Sequence, residues 1–419
     1  MLVALLFLEN RLVCKTLTIF RFCDIIILKK IPGLLGGFMV IKGFIDYSNG
    51  KIPFVLEKYK LELFGADELL KTFIKEHNFK NNYILTGQYF RLGTTPEKIT
   101  ILVDRSMGET CYVTCFILER SRTDSGFDCI NFQSRSLDSI FKYKYNYINL
   151  SRAGVNLSNG EHEVYKIPFI LESETYDLSY KIGQKTKLGL LEDFNAWGIS
   201  SVPLKSSNIY ECYKLSILLE RFSKFLINRS YAPFKKIVLS QGGFPVGWFY
   251  YSNLLDEPYG DYDGMFQDYD VEKYSSKILD NIGANPNNKI VTSIPLGHLS
   301  NHENLFAPQR FIEQVMVFEY LYHKLYPAKN NVRLINKLEE MFTEFPKILG
   351  DRMTSHDIAG EIKELRRRIT HGYEYYYTFE NDTKAMNNIC KLDMLIKFMS
   401  LKVIGFDNQE IDEYNAVIY

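Results

Sequence analysis

Apolar and polar residues alternate in short runs along residues 39–253, and this pattern is typical of antiparallel β-strands. Turn-forming residues separate several of the runs, as at 48–50 and 93–96. Strands are predicted at residues 51–56, 59–64, 82–90, 98–103, 111–118 and 128–132. Such a succession of short strands predicts an antiparallel sandwich or barrel.

One heptapeptide of this β-rich region is nearly repeated. Lys-Ile-Pro-Phe-Val-Leu-Glu at 51–57 returns at 166–172 with Ile in place of Val. Each copy precedes an alternating stretch, at 59–64 and at 174–180. Two similar β subunits, with a boundary near residue 150, would explain the repeat. The alternative is a chance match in a chain rich in Ile, Phe and Lys.

Helical spacing of apolar residues replaces the alternation in two places. The first is 212–228, where an amphipathic helix is predicted with one apolar face formed by Leu215, Leu218, Leu219, Phe222 and Leu226. The second begins at Pro308 and contains four predicted helices at 309–326, 332–349, 355–371 and 382–403. Short loops join these four helices, so an up-and-down bundle is expected at 301–419.

Capping residues set the ends of the predicted helices. The third helix should start after Thr354 or Ser355, both good N-caps, with Asp357 in its positive first turn. It should end near His371, with Gly372 as the C′ residue. Pro346 is expected to end or kink the second helix, and Asn381 or Asp382 is expected to cap the fourth.

Composition supports an α+β protein of two or three domains. The 419 residues are 46% hydrophobic and 24% charged, which is typical of a globular chain. The 50 basic and 50 acidic residues give a net charge of zero, so RNA would have to bind a local basic patch. Phosphate-binding loops and dinucleotide fingerprints are absent, and we expect no cofactor.

The cysteines predict neither disulfides nor a metal site. Among seven cysteines, Cys111 and Cys115 form the one close pair, and they should share a face of one strand. A second Cys or His pair at zinc-like spacing is missing nearby. Both residues are therefore expected to be small buried side chains in a reducing cytosol.

The first 38 residues resist assignment to a domain. Their apolar runs are shorter than the roughly 18 residues that cross a bilayer, and a secretory cleavage site is not evident. We expect that Met39 is the true start and that 1–38 is upstream translation. The alternative is a weak membrane anchor. Without a membrane span, a cytoplasmic protein is expected.

Two stretches invite a metal hypothesis. The acidic segment 256–272 resembles a calcium loop, but Tyr259 occupies the first ligand position and Asp270 replaces the final Glu. A solvated loop is expected there, with a cation or basic-partner site as the alternative. His298 and His302 could share a helix face as metal ligands, but glycine and asparagine lie within their stretch.

The strongest chemical signal is an Arg-x4-His pattern at the end of the third predicted helix. A histidine can transfer the protons of RNA cleavage, and a guanidinium binds phosphate oxygens bidentately. Arg366 and His371 are the candidates, with Arg367 and Arg368 adding positive charge.

Helix geometry does not decide which arginine acts together with His371. Residues five apart in a regular helix project about 140° apart, which favours Arg367 as the partner of His371. Unwinding at Gly372 would restore Arg366 to that role. The alternative without catalysis is an exposed arginine-rich helix end whose histidine interacts with the helix dipole.

Stretches 310–325 and 366–373 resemble the HEPN domain of the ApeA family of anti-phage proteins. The family motif places Arg366 and His371 at the catalytic positions, and Arg367 falls where the family usually has Asn. Glu319 matches an acidic position near the cleft, and Tyr373 closes the stretch as a supporting residue.

Residues 39–300 are similar to the β-rich domain that precedes HEPN in ApeA proteins, through 43–47, 61–65, 83–87 and 99–103. The resemblance implies a metal-independent endoribonuclease that restrains growth or kills the cell on infection. It implies a homodimer or higher oligomer whose motifs face one cleft, RNA as substrate with transfer RNA as a candidate, and a phage-derived trigger for the β-rich region. The runner-up is a non-catalytic binding or dimerisation protein whose β part binds protein or carbohydrate.

Overall fold

A computed structural model describes residues 40–48, 50–91, 95–120, 126–141, 160–186, 194–227, 232, 234–251, 271–284, 308–329, 331–350, 353–372 and 379–418. Segment 1–38, residues 256–270, the pair His298 and His302, and Tyr373 lie outside these ranges. The chain divides into two compact units, Met1–Asp124 and Ser125–Tyr419.

The first unit contains a closed six-stranded barrel. Its elements are β1 (Val40–Tyr47), β2 (Gly50–Glu57), β3 (Lys60–Leu63), α1 (Glu68–His77), β4 (Asn81–Tyr89), β5 (Glu97–Met107) and β6 (Thr110–Glu119). The strands follow the order β3-β2-β1-β4-β5-β6, and β3 pairs with β6 to close the ring. The predicted strands of this region are confirmed, and of the two predicted architectures the barrel is present.

Closure of the barrel depends on two glycines. Strands β1 and β4 pair next to Gly43 and Gly87. A Cβ atom at either position would collide with a backbone carbonyl of the other strand. Glycine therefore permits a backbone approach that other residues would prevent.

The barrel interior contains Cys111 and Cys115 as predicted. Both lie on the same face of β6 and are fully buried. Burial raises the pKa of both thiols above the ordinary range, so neither is a reactive thiolate. Helix α1 was not predicted, because only Leu70 and Phe73 of its residues are buried and its apolar pattern is short.

The second unit begins with an antiparallel sheet and its covering helices. The elements are β7 (Cys129–Gln133), α2 (Arg135–Phe141), β8 (Gly160–Leu171), β9 (Glu174–Thr186), β10 (Phe194–Pro203), α3 (Ile209–Ile227), β11 (Lys236–Gln241) and β12 (Phe244–Tyr251). The strand order is β8-β9-β10-β7-β11-β12. Helix α3 confirms the amphipathic helix predicted at 212–228, and all five of its predicted apolar residues are buried.

The repeated heptapeptide lies at the end of a strand twice, but the turn that follows begins one residue earlier in the second copy. The turn residues with positive φ are 58–59 after β2, whereas after β8 they are 172–173 and include the last residue of the copy. Strand β2 lies between β1 and β3 in the closed barrel, whereas β8 ends the order of its sheet. The strand order therefore does not support two copied β subunits.

Helices make up the rest of the second unit. They are α4 (Val271–Ala284), α5 (Pro308–Leu325), α6 (Leu334–Glu344), a 3₁₀ turn (Pro346–Ile348), α7 (Ser355–Thr370), α8 (Phe379–Val403) and α9 (Asn408–Ile418). Helix α5 packs mainly on α8, and α6 packs mainly on α7. No described helix has both the length and the apolar character that crossing a membrane requires. The protein is thus α+β, with a β-rich region followed in sequence by C-terminal helices.

The expectation that Pro346 ends or kinks the second predicted helix is confirmed, because α6 ends at Glu344 and Pro346 starts a separate 3₁₀ turn. The helix is therefore shorter than the predicted 332–349, and two other expectations about these helices need correction. Asn381 and Asp382 lie inside α8 and are not its cap, because an acidic residue is also favourable within the first turn. Helix α9 follows the four predicted helices and was not predicted from the sequence.

Candidate active site

Helix α7 carries the predicted catalytic pattern, and its two ends are fixed by capping. Thr354 is the N-cap, and its hydroxyl accepts from the Asp357 backbone N–H at 3.2 Å while the Asp357 carboxylate accepts from the Thr354 backbone N–H. At the other end His371 is the C-cap and Gly372 takes a left-handed φ of 64°. Both ends match the sequence prediction.

Arg366 lies on the side of α7 that faces the other helices. It follows Ala359 and Ile362, which are fully buried, at seven- and four-residue spacing. Its Nη2 atom lies 3.5 Å from Oε2 of Glu319 on α5. Two of the residues that the sequence analysis selected are thereby brought together from distant parts of the chain.

A buried lysine extends this ion pair. Lys337 on α6 is only 3% exposed, and its Nζ lies 3.4 Å from Oε1 of Glu319. The same ammonium lies 3.1 Å from Nε2 of His323, one turn after Glu319 on α5. An ammonium only donates, so it donates to Nε2 of His323.

The other two arginines occupy the outer side of α7. Arg367 donates from Nε and Nη2 to the two carboxylate oxygens of Glu364, at 2.9 and 2.8 Å. Arg368 donates from Nε to the same carboxylate at 3.1 Å. These bonds lower the pKa of Glu364 to about 2. The outer arginines are therefore engaged in a local, solvent-exposed ion-pair group.

His371 remains in helical register with the residues before it. Its backbone N–H donates to the carbonyl of Arg367 at 3.1 Å, so the helix does not unwind before His371. Arg366 and His371 consequently project about 140° apart within one chain. His371 is exposed, as are Arg367 and Arg368. The expectation that Gly372 would realign Arg366 with His371 is not met.

Lys337 and His323 were not singled out from the sequence, although a signal existed. Lys337 falls between Leu334, Leu338 and Met341, on the apolar side of α6. A charged residue at such a position either leaves the core or finds polar partners there. His323 follows Glu319 by one helical turn and so shares its face.

The described residues contain no cluster of three or more His, Cys, Asp and Glu side chains placed to hold a metal ion. The site instead combines a half-exposed guanidinium, a buried ammonium and an exposed imidazole. Guanidinium groups bind phosphate, and imidazole transfers protons near neutral pH. These are the groups that phosphodiester cleavage uses, although within one chain Arg366 and His371 are not brought together. Comparison with known protein families, curated proteins and solved structures finds no match.

Proposed function

We propose that this chain is a metal-independent endoribonuclease of the HEPN class that acts in anti-phage defence by abortive infection. Its substrate is RNA, with transfer RNA as a candidate. The observation that carries the proposal is the ion pair between Arg366 and Glu319, because it joins two residues that the sequence predicts for the site from distant parts of the chain. His371 supplies the acid–base group on the same helix.

The reaction that fits these groups is attack by the RNA 2′-hydroxyl on the adjacent phosphorus. The 2′-oxygen forms a bond to phosphorus while the bond to the 5′-oxygen breaks. The 2′-hydroxyl loses its proton to a base, and the leaving oxygen gains one from an acid, so His371 serves in one of these roles. Arg366 neutralises charge on the phosphate oxygens. The products are a 2′,3′-cyclic phosphate and a 5′-hydroxyl.

Two chains are needed for this site. Because Arg366 and His371 diverge within one chain, the arginine of one protomer and the histidine of its partner would act on the same phosphate. A homodimer or higher oligomer through the C-terminal helices fits this requirement, and activity then depends on assembly. The β-rich region would receive a phage-derived trigger in the cytoplasm.

The test is cleavage of total RNA and transfer RNA by the purified full-length protein in EDTA. Wild type should give fragments ending in 2′,3′-cyclic phosphate, and Arg366→Ala and His371→Ala should lose at least about a hundredfold in rate. His356→Ala is the matched control, since His356 is an exposed histidine at the other end of α7. Retention of wild-type cleavage in both site variants would refute the assignment.

A non-catalytic binding or dimerisation protein is the second candidate. The outer face of α7 favours it, because the bonds of Arg367 and Arg368 to Glu364 reduce the free positive charge beside His371. This candidate predicts no cleavage by wild type, even in lysate from infected cells that contains the trigger. It also predicts that His371→Ala leaves every phenotype of the wild type intact.

A further inference from the structure

The carboxylate of Glu319 bridges two cations, and each cation has its own oxygen. Lys337 lies at Oε1, 3.4 Å away, and Arg366 lies at Oε2, 3.5 Å away. The lysine side chain is 4% exposed, the glutamate 28% and the arginine 41%. A buried cation therefore anchors the carboxylate from inside, and a half-exposed cation meets it from the solvent side.

We propose that Lys337 is a positioning residue that holds one oxygen of Glu319, keeps this carboxylate from closing onto Arg366, and so leaves the guanidinium of Arg366 available to a phosphodiester. The inference rests on the proposed function, and it adds a residue that the catalytic motif does not contain. Lys337 itself touches no substrate, because its ammonium is buried between Glu319 and His323.

The geometry of Arg366 shows what this anchoring achieves. Arg367 binds Glu364 in a bidentate way, at 2.8 and 2.9 Å. This contact uses two of the nitrogen donors of its guanidinium. Arg366 makes one longer contact with Glu319 through a single nitrogen. Lys337 contacts the other carboxylate oxygen of Glu319. Glu319 therefore does not bind Arg366 through both of its oxygens.

The side chains around Lys337 hold its ammonium in place, as a positioning residue requires. The ring of Tyr322 lies 5.5 Å from its Nζ, and Nε2 of His323 accepts from it at 3.1 Å. Buried charges require such partners. The ammonium is thereby held in one place, which is what a positioning group needs.

Lys337→Met and Glu319→Gln change the net charge around Arg366 in opposite directions. Arg366, Lys337 and Glu319 together have a net charge of +1. Lys337→Met lowers this to zero and lets Glu319 pair with Arg366 alone. Glu319→Gln raises it to +2, and the double substitution returns it to +1. A structural role for Lys337 predicts no such rescue, because the core defect persists in the double variant.

Modification of Arg366 by phenylglyoxal tests the inference without RNA. In the full-length protein, mass spectrometry should show Arg366 reacting several-fold more slowly in Lys337→Met and faster in Glu319→Gln, with the double variant near wild type. Arg367 and Arg368 are internal controls whose rates should not change. Circular dichroism checks folding, and if Lys337→Met does not fold, Glu319→Gln alone decides.

Binding of a single-stranded 2′-deoxy oligonucleotide, which cannot be cleaved, is the second measurement. Lys337→Met should weaken binding about tenfold and the double variant should restore it. A double variant as defective as Lys337→Met in both measurements overturns the inference, as does a slower or unchanged Arg366 in Glu319→Gln. Failure of the proposed function is a separate result, namely wild-type protein that does not cleave RNA while the phenylglyoxal pattern still appears.

Discussion

Three consecutive arginines lie on two different faces of helix α7 and have different partners there. Arg366 points toward α5 and α6 and joins Glu319 in a network that includes a buried lysine. Arg367 and Arg368 point outward and share the half-exposed carboxylate of Glu364. The helix turns by about 100° per residue, so Arg366 joins a different group of side chains from the two arginines that follow it. A run of like charges is therefore not one functional unit.

Carboxyl groups of the C-terminal helices show the same contrast. Asp393 on α8 is 8% exposed, and burial raises its pKa to about 7 although the Arg310 guanidinium lies 4.0 Å away and Gln314 donates a hydrogen bond to it. Glu364 is half-exposed, and hydrogen bonds from Arg367 and Arg368 lower its pKa to about 2. Desolvation dominates inside, and direct charge-assisted hydrogen bonds dominate outside.

Mixing two inactive variants should give the largest effect. Arg366 belongs to the inner face and His371 to the outer end, so an arginine from one chain and a histidine from the other should form each site. An equal mixture of Arg366→Ala and His371→Ala, after exchange of subunits, should recover about a quarter of wild-type RNA cleavage, since half of the dimers keep one intact pair.

The control for this mixture is His371→Ala combined with the double variant, which has no complementary pair and should stay inactive. Recovery only in the first mixture establishes a shared site. If neither mixture recovers while subunit exchange is verified, the two residues act within one chain and the divergence seen along α7 must close on substrate binding.

The second-largest expected effect is on the free energy of unfolding, which should fall more for a substitution beside the inner face of α7 than for one on its outer face. Lys337→Ala removes a buried cation and leaves Glu319 and His323 without it, so the free energy of unfolding should fall by about 2–3 kcal/mol. Arg367→Ala removes an exposed ion pair and should change it by less than about 0.5 kcal/mol. Urea unfolding of the full-length protein measures both. Equal losses would mean that exposure does not decide the energetic role of these cations.

Much of the fold could be predicted from the sequence because burial enforces periodicity. Residues Ile52, Phe54 and Leu56 alternate along β2 and are all buried, and helix α7 has the N-cap and C′ residues that the sequence indicated. Barrel closure was not fixed by any such pattern. It depends on pairing between β3 and β6, which are distant in sequence.

The candidate site was predictable only where a motif exists. Arg366 was predicted from the Arg-x4-His pattern and Glu319 from the resemblance to the HEPN domain, and the helices bring them together. Lys337 and His323 belong to no pattern, and their role depends on which apolar faces pack together. Periodicity places a polar residue on a buried face, but it does not name the partner across the interface. Tertiary packing supplies that information.

The pH dependence of stability gives the smallest and most specific contrast, between Asp393 and Glu364. A folded pKa of about 7 means that Asp393 keeps its proton in the folded state while the unfolded chain loses it above about pH 4. Wild-type stability from this group therefore falls between about pH 4 and 7. Asp393→Asn mimics the neutral carboxyl, so it should be more stable than wild type by about 1–2 kcal/mol at pH 8 and not at pH 4.

Glu364→Gln should show the opposite sign. A folded pKa of about 2 means that the charged form of Glu364 contributes stability above about pH 4, and that this contribution is lost as the pH falls toward 2. The substitution should lower stability slightly at neutral pH and leave it equal to wild type near pH 2. Thermal unfolding of both variants across pH 2–8 checks the pair. Curves that deviate from wild type in the same direction would show that burial does not distinguish the two carboxyl groups, and the contrast between the inner and outer groups would then be wrong.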